Sequence, residues 1–557
     1  MTQSRTRHGV PESSTAQPAG AAELGSPAAQ RAATGHVSLL GAGPGDPELI
    51  TLRALRKLQA ADVILYDALV HPALLEHRKP GATLVFVGKR AGRASERQGS
   101  INARLIEAAR AGGHVVRLKG GDPYLFGRGS EEAEALVAAG IPFDVVPGVA
   151  SPMAASAYTG ISLTHRDLAS SVAYVTATES VEKDESAHDW DKLATATQTL
   201  VFFMGLRKLD SLMERLVAHG RDPETPAAVV SNASLPGQRT VVGKVSDIAQ
   251  RARDAGLEMP ALTIVGAVVG LYPQLSWFEQ QPLFGKRVLI TRPEGQSDQM
   301  TRALREIGAA PLELPTVQIV PPADPARFAS HVQRVGGYDW LVFTSANGVQ
   351  AFFDVLDTQQ RDARVLGGVL VAAIGPATRA ALALRGVRAD VMPSEYRGET
   401  VAEAIFLRTP DLTGKRVLIA RAEVAREVLP QLLRDRGASV DVVPAYRTLP
   451  APAERFAEIR SLLAAGSIDV VAFTSSSTVE RLVEGLGDDA GALLSRITVA
   501  AIGPITADSA ERLGLPVSVV ARQYTAGGLV AALVAHFAQA ANVAKVHGPL
   551  GAADRGA

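Results

Sequence analysis

The chain contains no cysteine among its 557 residues. This absence excludes disulfides, iron–sulfur clusters, thiolate nucleophiles and zinc sites with cysteine ligands, and we expect no metal. An excess of charge of one sign is also missing, because Lys plus Arg and Asp plus Glu both number 57. Proteins that bind nucleic acid usually carry a basic excess, so the composition disfavours nucleic acid as a partner.

Hydrophobic segments of membrane-spanning character are also missing. The uncharged run at residues 260–278 contains Pro273 and polar residues, and it is too short and mixed for a spanning helix. The first 35 residues are rich in Ala, Ser, Thr, Gly and Pro and lack the apolar core of a signal peptide. We therefore expect a cytoplasmic protein without a membrane partner, and the length suffices for about three or four domains.

Strand-like and helix-like segments alternate along most of the chain. The apolar run HVSLLGAG is followed by PELITLRALRKLQAA, which has helical spacing, and then by the strand-like DVILYD. This alternation is typical of α/β proteins, so we predict an α/β fold.

After residue 284 the same blocks of sequence occur twice. GKRVLITRP recurs as GKRVLIARA, LVFTSANGV as VAFTSSSTV, and VAAIGPATRAAL as VAAIGPITADSA. Two copies are too few for a repeat array, so we predict a bilobal α/β unit with a ligand cleft between its lobes. The offsets are 129, 130 and 128 residues, measured from Gly285 to Gly414, from Thr344 to Thr474 and from Gly375 to Gly503.

The first glycine-rich loop, GAGPGD at residues 41–46, follows a predicted strand. A dinucleotide-binding loop requires a third glycine that is missing here, and Asp46 stands where a pyrophosphate would bind. A carboxylate at a helix N-terminus caps the helix and repels a polyanion, so a dinucleotide is disfavoured.

The second glycine-rich loop lies in VVRLKGGDPYLFGRGSEE at residues 115–132. Gly120 and Gly121 permit a ligand to approach the backbone closely. Asp122 precedes a proline and is expected to be extended, with its carboxylate free to accept hydrogen bonds from a ligand. A turn capped by Asp122 is the alternative. Acidic loops of this kind suit a ligand without phosphate, such as S-adenosylmethionine.

The N-terminal part resembles the uroporphyrinogen-III C-methyltransferases of the tetrapyrrole methylase family. The matching segments include GAGPGDPELITLRALRKLQAADVILYDALV, VGKRAG, VVRLKGGDPYLFGRGSEE, VVPGVASPMAASAYTGISLTHRD, TLVFFMG and PALTIVG, in family order over about residues 36–273. VRLKGGDP and GISLTHRD match motifs that distinguish this enzyme from methylases that act at other corrin positions. The chain departs from the family at Gly129-Ser130, at TATES (176–180) and at NAS (232–234).

This resemblance implies a two-lobed fold and two S-adenosylmethionine-dependent methylations of uroporphyrinogen III, at carbons 2 and 7, to give precorrin-2. It implies Asp67 as a proton acceptor or substrate-positioning group, and Lys89, Arg128 and Glu131 on the tetrapyrrole side. For Arg128 and Glu131, which are three residues apart, a surface ion pair is the alternative. The residues implied to line the cofactor pocket are Pro44, Gly120, Gly121, Asp122, Leu125, Ala150, Ser151, Met204, Ala233 and Leu262.

The duplicated half resembles uroporphyrinogen-III synthase through its FTS and AIGP segments and through VVPAYRT and AIGPITA. This resemblance implies closure of hydroxymethylbilane to uroporphyrinogen III, with inversion of ring D and without a cofactor. Tyr446 is implied to assist departure of the hydroxyl group, and Ser345, Ser476 and Thr506 to bind substrate carboxylates. The alternative role of these three residues is helix N-capping. Both roles can coexist, because helix N-termini bind carboxylates.

The two resemblances together predict a bifunctional enzyme of tetrapyrrole biosynthesis, because the product of one half is the substrate of the other. We expect a homodimer formed through the methyltransferase half and a reaction sequence that stops at precorrin-2. The alternative is a corrin-pathway methyltransferase of other position specificity fused to a bilobal ligand-binding module.

The predicted organisation has five parts. They are a disordered tail (1–35), the methyltransferase (36–276), an exposed linker (277–283), the synthase (284–540) and a flexible tail (541–557). The second resemblance implies that residues 284–320 join 450–540 in one synthase lobe and that residues 321–449 form the other.

Overall fold

The computed structural model describes residues 35–88, 98–177, 188–292, 298–395 and 397–546. These residues form four five-stranded sheets with helices around them, so the predicted α/β class is confirmed. The chain divides into two compact units, residues 1–153 and 154–557. Sheet one lies in the first unit, and sheets two, three and four lie in the second.

The strands follow one another along the chain as short segments of four to twelve residues. They are β1 His36–Gly41, β2 Val63–Tyr66, β3 Thr83–Phe86, β4 His114–Lys119, β5 Phe143–Val146, β6 Val172–Thr176, β7 Thr199–Phe203, β8 Pro226–Ser231, β9 Arg239–Lys244, β10 Ala261–Val265, β11 Arg287–Ile290, β12 Ala310–Glu313, β13 Val317–Val320, β14 Trp340–Phe343, β15 Leu370–Ala373, β16 Arg416–Ala422, β17 Ser439–Pro450, β18 Val470–Phe473, β19 Thr498–Ala501 and β20 Val517–Val520.

The α-helices connect these strands. They are α1 Leu52–Ala60, α2 Pro72–Glu76, α3 Gln98–Arg110, α4 Gly129–Ala138, α5 Ser151–Thr159, α6 Trp190–Ala196, α7 Leu209–Ala218, α8 Ile248–Asp254, α9 Tyr272–Leu275, α10 Asp298–Glu306, α11 Pro325–Gln333, α12 Ala346–Thr358, α13 Pro376–Leu384, α14 Gly398–Arg408, α15 Val428–Asp435, α16 Ala453–Ala464, α17 Ser476–Leu486, α18 Ala490–Leu494, α19 Pro504–Arg512 and α20 Ala526–Val546.

Sheet one is parallel, with strand order β3-β2-β4-β1-β5. Its strands are apolar runs because both faces are covered, one by the cluster around Leu39 and Leu136 and the other by the cluster around Leu40 and Leu58. All five strands end at the same edge of the sheet. Ligands of open α/β sheets bind at this carboxyl edge, and both glycine-rich loops lie there.

Sheet two is mixed, with strand order β6-β7-β10-β8-β9. Only the β6–β7 pair is parallel, and β10 runs antiparallel to both of its neighbours. Phe202 and Ile264 are fully buried on opposite faces of this sheet. Because β10 is reversed, its first residue lies beside the ends of β7 and β8.

The duplicated half folds into sheets three and four, and each sheet takes strands from both copies of the repeat. Sheet three has the order β12-β11-β18-β19-β20 and sheet four the order β13-β17-β16-β14-β15. The predicted lobe boundary after residue 320 is therefore wrong at β13, which pairs with β17 in sheet four and does not join sheet three. Equivalent hydrogen bonds mark the starts of the strands. Arg287 N donates to Asp469 Oδ2 at 2.8 Å, and Arg416 N donates to Asp339 Oδ2 at 2.9 Å. Each pair joins residues from different copies.

The segment 277–283 was predicted to be an exposed linker, and this prediction is wrong at Phe278 and Leu283, whereas Trp277, Gln280 and Pro282 are exposed. Phe278 is 6% exposed and Leu283 is fully buried. The Phe278 ring contacts Phe284 with a centroid distance of 5.3 Å. Glu279 accepts hydrogen bonds from Gln238, Thr240 and Tyr272. The segment contains a short 3-10 helix, Phe278–Gln280, and the side chains of Phe278, Glu279 and Leu283 anchor it.

The predicted tail at residues 1–35 lies outside the described residues except for Gly35. The helix α20 runs through Val546, and residues 547–557 also lie outside them. No helix of the described part of the chain combines the length and the apolar character needed to cross a membrane.

Candidate functional site

Three loops at the carboxyl edge of sheet one touch one another through their glycines. Gly121 N donates a hydrogen bond to Gly43 O at 2.7 Å. A Cβ on Gly41 would lie 2.4 Å from Gly148 Cα, and a Cβ on Gly148 would lie 2.3 Å from Gly121 O. Residues with side chains cannot occupy these positions, so glycine permits the loops after β1, β4 and β5 to pack backbone to backbone.

Asp122 organises this junction. Its Oδ1 accepts from Tyr124 N at 2.8 Å and from Leu125 N at 3.1 Å, and its Oδ2 accepts from Gly148 N at 3.1 Å. The expectation that the carboxylate is free for a ligand is therefore wrong, because backbone amides already occupy both oxygens. The alternative of a turn capped by Asp122 is what the structure has.

The other predicted pocket residues of the first unit belong to the same loops. They are partly exposed at the carboxyl edge of sheet one, next to the glycine junction. These residues are Pro44, Gly120, Leu125, Ala150 and Ser151.

Asp67 follows β2 at this edge and is 23% exposed. Its Oδ1 accepts from Leu69 N at 3.1 Å, and both of its oxygens lie 3.4 Å from Gly120 N. The structure thus brings Asp67 to the loop that carries Gly120 and Asp122. Whether Asp67 contacts a substrate stays a prediction.

Arg128 and Glu131 form an exposed, two-pronged ion pair. Arg128 Nε lies 2.9 Å from Glu131 Oε1, and Arg128 Nη2 lies 2.6 Å from Glu131 Oε2. Their hydrogen bond raises the pKa of Arg128 and lowers the pKa of Glu131. The side chains share one face at the start of α4, as the spacing suggested. Lys89, the third residue predicted for the tetrapyrrole side, lies outside the described residues.

Three predicted pocket residues of the second unit meet at one edge of sheet two. Met204 follows β7, Ala233 follows β8, and Leu262 lies near the start of β10 between Phe203 and Val230. Met204 is 52% exposed, whereas Leu262 is 6% exposed. The reversed direction of β10 explains why residues so distant in sequence converge.

Backbone strain marks the same loops, and the sequence analysis missed this signal. A positive φ is costly for residues with a side chain and concentrates at functional sites. Five of the six such residues in the described part of the chain follow β4, β7 or β8. The six are Phe126, Arg128, Met204, Asn232, Ser234 and Gln360.

In sheet four, Tyr446 and Ser345 are in direct contact. Tyr446 lies on β17 and is 8% exposed, and its hydroxyl donates to Ser345 Oγ at 3.0 Å. Ser345 also caps α12 by accepting from Gly348 N at 3.1 Å. The capping alternative for Ser345 is therefore realised, and it coexists with the contact to Tyr446.

In sheet three, Ser475 caps α17 by accepting from Thr478 N. The repeat aligns Ser345 with Ser475, so the residue equivalent to Ser345 is one position before the predicted Ser476. Ser476 instead donates to Ile505 O at 3.3 Å and accepts from Ser509 Oγ at 2.8 Å. Thr506 lies within the first turn of α19 and is only 5% exposed.

These features define an α/β protein whose candidate site residues lie mainly on loops at the ends of its strands. Two family models match the chain. They are "Tetrapyrrole (Corrin/Porphyrin) Methylases" over residues 36–249 and "Uroporphyrinogen-III synthase HemD" over residues 298–531.

Three known proteins show the extent of the similarity. The porphyrin biosynthesis protein HemD of Ruminiclostridium josui is 37% identical over 481 residues, which cover 86% of this chain and 94% of that protein. The uroporphyrinogen-III C-methyltransferase of Bacillus subtilis is 39% identical over 61% of this chain and 69% of its own length. A solved uroporphyrin-III C-methyltransferase of Thermus thermophilus, complexed with S-adenosylhomocysteine, is 41% identical, with a TM-score of 0.37, and covers 43% of this chain and 100% of that chain.

The chain belongs to the family of fused tetrapyrrole biosynthesis proteins in which a tetrapyrrole methylase is joined to a uroporphyrinogen-III synthase of the HemD type. Both family assignments drawn from the sequence motifs are confirmed.

Proposed function

We propose that the chain closes hydroxymethylbilane to uroporphyrinogen III and then methylates this product at carbons 2 and 7 to give precorrin-2. The observation that carries the proposal is the presence of both families in one polypeptide. A synthase makes the ring that such a methyltransferase consumes, so the fusion pairs two consecutive reactions. We further propose that the enzyme acts in the cytoplasm and forms a homodimer through its methyltransferase half.

S-adenosylmethionine, when bound, supplies an electrophilic methyl group. The carboxyl edge of sheet one suits such a donor, because a Cβ on Gly121 would meet nothing within 4 Å, so the backbone of this loop is open to a ligand. It also lacks the phosphate-binding glycine pattern, which agrees with a donor that has no phosphate. In the proposal, Gly120 to Asp122, Leu125 and Ala150 contact the donor at the carboxyl edge of sheet one, and Met204, Ala233 and Leu262 stay predicted pocket residues.

The methyltransferase residues need to orient an electron-rich pyrrole carbon and afterwards remove one ring proton. We assign the second task, or the orientation of the ring, to the Asp67 carboxylate. Its partly exposed position and its contact with the Gly120 amide support this role. Arg128 offers a cation to the carboxylates of the tetrapyrrole, at the cost of loosening its pair with Glu131.

The synthase residues need to help a hydroxyl group leave and to hold a flexible chain in the geometry that inverts ring D. We assign the first task to the Tyr446 hydroxyl, which Ser345 orients. The N-termini of α12, α17 and α19 offer backbone amides to the substrate carboxylates.

The proposal is tested by incubating the purified chain with hydroxymethylbilane, with and without S-adenosylmethionine carrying a ¹³C-methyl group. Without the donor we expect uroporphyrinogen III. With it we expect a dimethylated product labelled at carbons 2 and 7, as assigned by NMR. Label at other carbons would favour a methyltransferase of different position specificity. Recovery of only the type I isomer would favour a non-catalytic bilobal module.

A further inference from the structure

A group of four charged side chains lies between sheet one and α4, below the carboxyl edge. Arg117 and Lys119 on β4 are each 4% exposed, Glu132 on α4 is fully buried, and Asp67 is 23% exposed. Two cations and two carboxylates give this group a net charge of zero. Buried ion pairs are often replaceable by apolar residues without loss of stability, so the group requires a reason beyond folding.

Glu132 immobilises Arg117. The Glu132 carboxylate accepts from Arg117 Nε at 3.1 Å, from Lys119 Nζ at 2.9 and 3.0 Å, and from Gln98 Nε2 at 3.2 Å. Arg117 Nη1 donates to Leu118 O at 2.9 Å. The guanidinium is planar and rigid, so these bonds also fix the direction of Nη2.

The fixed Nη2 faces Asp67, whose Oδ2 lies 3.6 Å away. Asp67 is also the neighbour of Gly120 N, the first amide of the loop assigned to the methyl donor. Arg117 and Lys119 are separated from that loop by at most two residues of the same strand. The charged group therefore connects the proposed substrate-side carboxylate to the donor loop.

Resting on the proposed methyltransferase function, we propose that Arg117 is the positioning residue of Asp67 and that Glu132 and Lys119 form a buried clamp for Arg117. Asp67 then keeps one orientation while substrate and donor exchange around it. The pKa of Lys119 is lowered, because burial and the charge of Arg117 outweigh the opposing effect of Glu132. This direction is expected for a cation enclosed beside a second cation.

The test is a double-mutant cycle on methyl transfer by the full chain. It uses single-turnover rates of wild type, Arg117→Met, Asp67→Asn and the double variant, with uroporphyrinogen III and S-adenosylmethionine. We expect Arg117→Met alone to lower the rate roughly 10- to 100-fold, as expected for a misplaced reacting group. In the Asp67→Asn background the same change should lower the rate less than two-fold. Arg117→Lys, which keeps the charge but cannot reach both carboxylates, should recover part of the loss.

Two controls separate positioning from folding. Lys57→Met breaks a partly buried pair with Asp144 at the opposite, amino edge of sheet one, where Lys57 Nζ lies 2.9 Å from Asp144 Oδ2. It should leave the rate unchanged. Affinity for S-adenosylhomocysteine, measured by calorimetry, should stay within about three-fold in the Arg117 variants.

The outcomes are distinguishable. Equal losses from the Arg117 change in both backgrounds, or losses matched by Lys57→Met, would overturn the positioning role. A wild-type rate for Asp67→Asn would instead overturn the proposed role of Asp67. If Arg117→Met does not fold, the cycle is run with Arg117→Lys. Equal losses in both backgrounds would again overturn the positioning role, and a wild-type rate for Asp67→Asn would again overturn the role of Asp67.

Discussion

The hydroxyl of Tyr446 donates a hydrogen bond to Ser345 Oγ at 3.0 Å, and the same Ser345 oxygen caps α12. This contact joins the predicted catalytic tyrosine to a predicted substrate-binding residue. Substitutions at the two positions should differ in their effect on stability, because Ser345 caps α12 and Tyr446 does not.

Tyr446→Phe should slow formation of uroporphyrinogen III, with more of the type I isomer formed by spontaneous closure. Ser345 keeps its bond to Gly348 N, so the free energy of unfolding should fall by only about 1 kcal/mol. The rate and isomer ratio are measured by chromatography of the oxidised porphyrins. Tyr338→Phe is the matched control. Tyr338 lies just before β14, and its hydroxyl donates a hydrogen bond to Asp441. An unchanged isomer ratio for Tyr446→Phe would show that its hydroxyl only packs.

Asp122→Ala should weaken binding of S-adenosylmethionine and S-adenosylhomocysteine. It removes the acceptor of three backbone amides and loosens the loop, and bonds to a charged group contribute about 1.5–3 kcal/mol, or roughly ten- to hundred-fold in affinity. Asp122→Asn keeps one acceptor oxygen and should lose less. Calorimetry measures both affinities, and the synthase activity of the same sample serves as the internal control. Unchanged affinity in the Ala variant would remove the loop from the donor site.

Gly148→Ala should disrupt the junction of the three loops. The added Cβ would lie 2.3 Å from Gly121 O and 2.7 Å from Gly41 Cα, and neither backbone can move without displacing a strand end. We expect loss of donor binding and of methyl transfer. Gly99→Ala is the matched control, because a Cβ there meets nothing within 4 Å. The idea fails if the two alanine variants bind S-adenosylhomocysteine equally well.

Asp144 should make the amino edge of sheet one sensitive to acid. Burial raises its pKa, but hydrogen bonds from Ser38, His36 and Lys57 outweigh burial and lower the pKa to about 2. A carboxylate with a lowered pKa stabilises the fold above its unfolded pKa, here 3.8, and this stability is lost as the pH falls towards 2. Allowing for solvent screening, the contribution is about 1 kcal/mol.

Hydrogen exchange of the β1 and β5 amides, compared between wild type and Asp144→Asn at each pH, measures this contribution. Protection should be higher in wild type at pH 5, and most of the difference should be lost as the pH falls to 2. A difference that stays constant over this range would show that ionisation of Asp144 does not matter.

The duplication was readable from sequence because strand starts and helix caps recur, as in Arg287 with Arg416 and Ser345 with Ser475. Matching the two repeats does not reveal that each sheet combines strands from both copies, because the sequence pattern within each copy is the same. The exchange appears only in contacts such as Arg287 with Asp469. It was expected solely from the resemblance to the synthase family.

The site was less predictable, because its contacts join residues distant in sequence. Asp122 was expected to face a ligand, yet Gly148, 26 residues away, uses its second oxygen. Glu132 was not among the predicted site residues, and only its contacts with Arg117 and Lys119 explain its burial. Charged residues inside the apolar run VVRLK were the available signal.

The segment 277–283 carries the last prediction, which concerns where the chain can be cut. Its side chains divide between two neighbours. Phe278 contacts Tyr158 with a centroid distance of 4.8 Å, whereas Leu283 belongs to the core around Val288 and Leu304. A cut after Gln281 leaves each side chain with its own core and loses the Phe278–Phe284 contact.

We expect fragments 1–281 and 282–557 to fold and to keep methyl transfer and ring closure, respectively, with the free energy of unfolding lowered by about 1 kcal/mol from the lost aromatic contact. A cut after Asp411 should behave differently. It separates β14 from its partner β16 and β11 from its partner β18, so both synthase sheets lose a central pairing. Fragment 412–557 should therefore be insoluble or unfolded. Circular dichroism, urea unfolding and the two activity assays compare the four fragments. Cooperative unfolding of 412–557 alone, or a 282–557 fragment that makes only the type I isomer, would contradict this view of the chain.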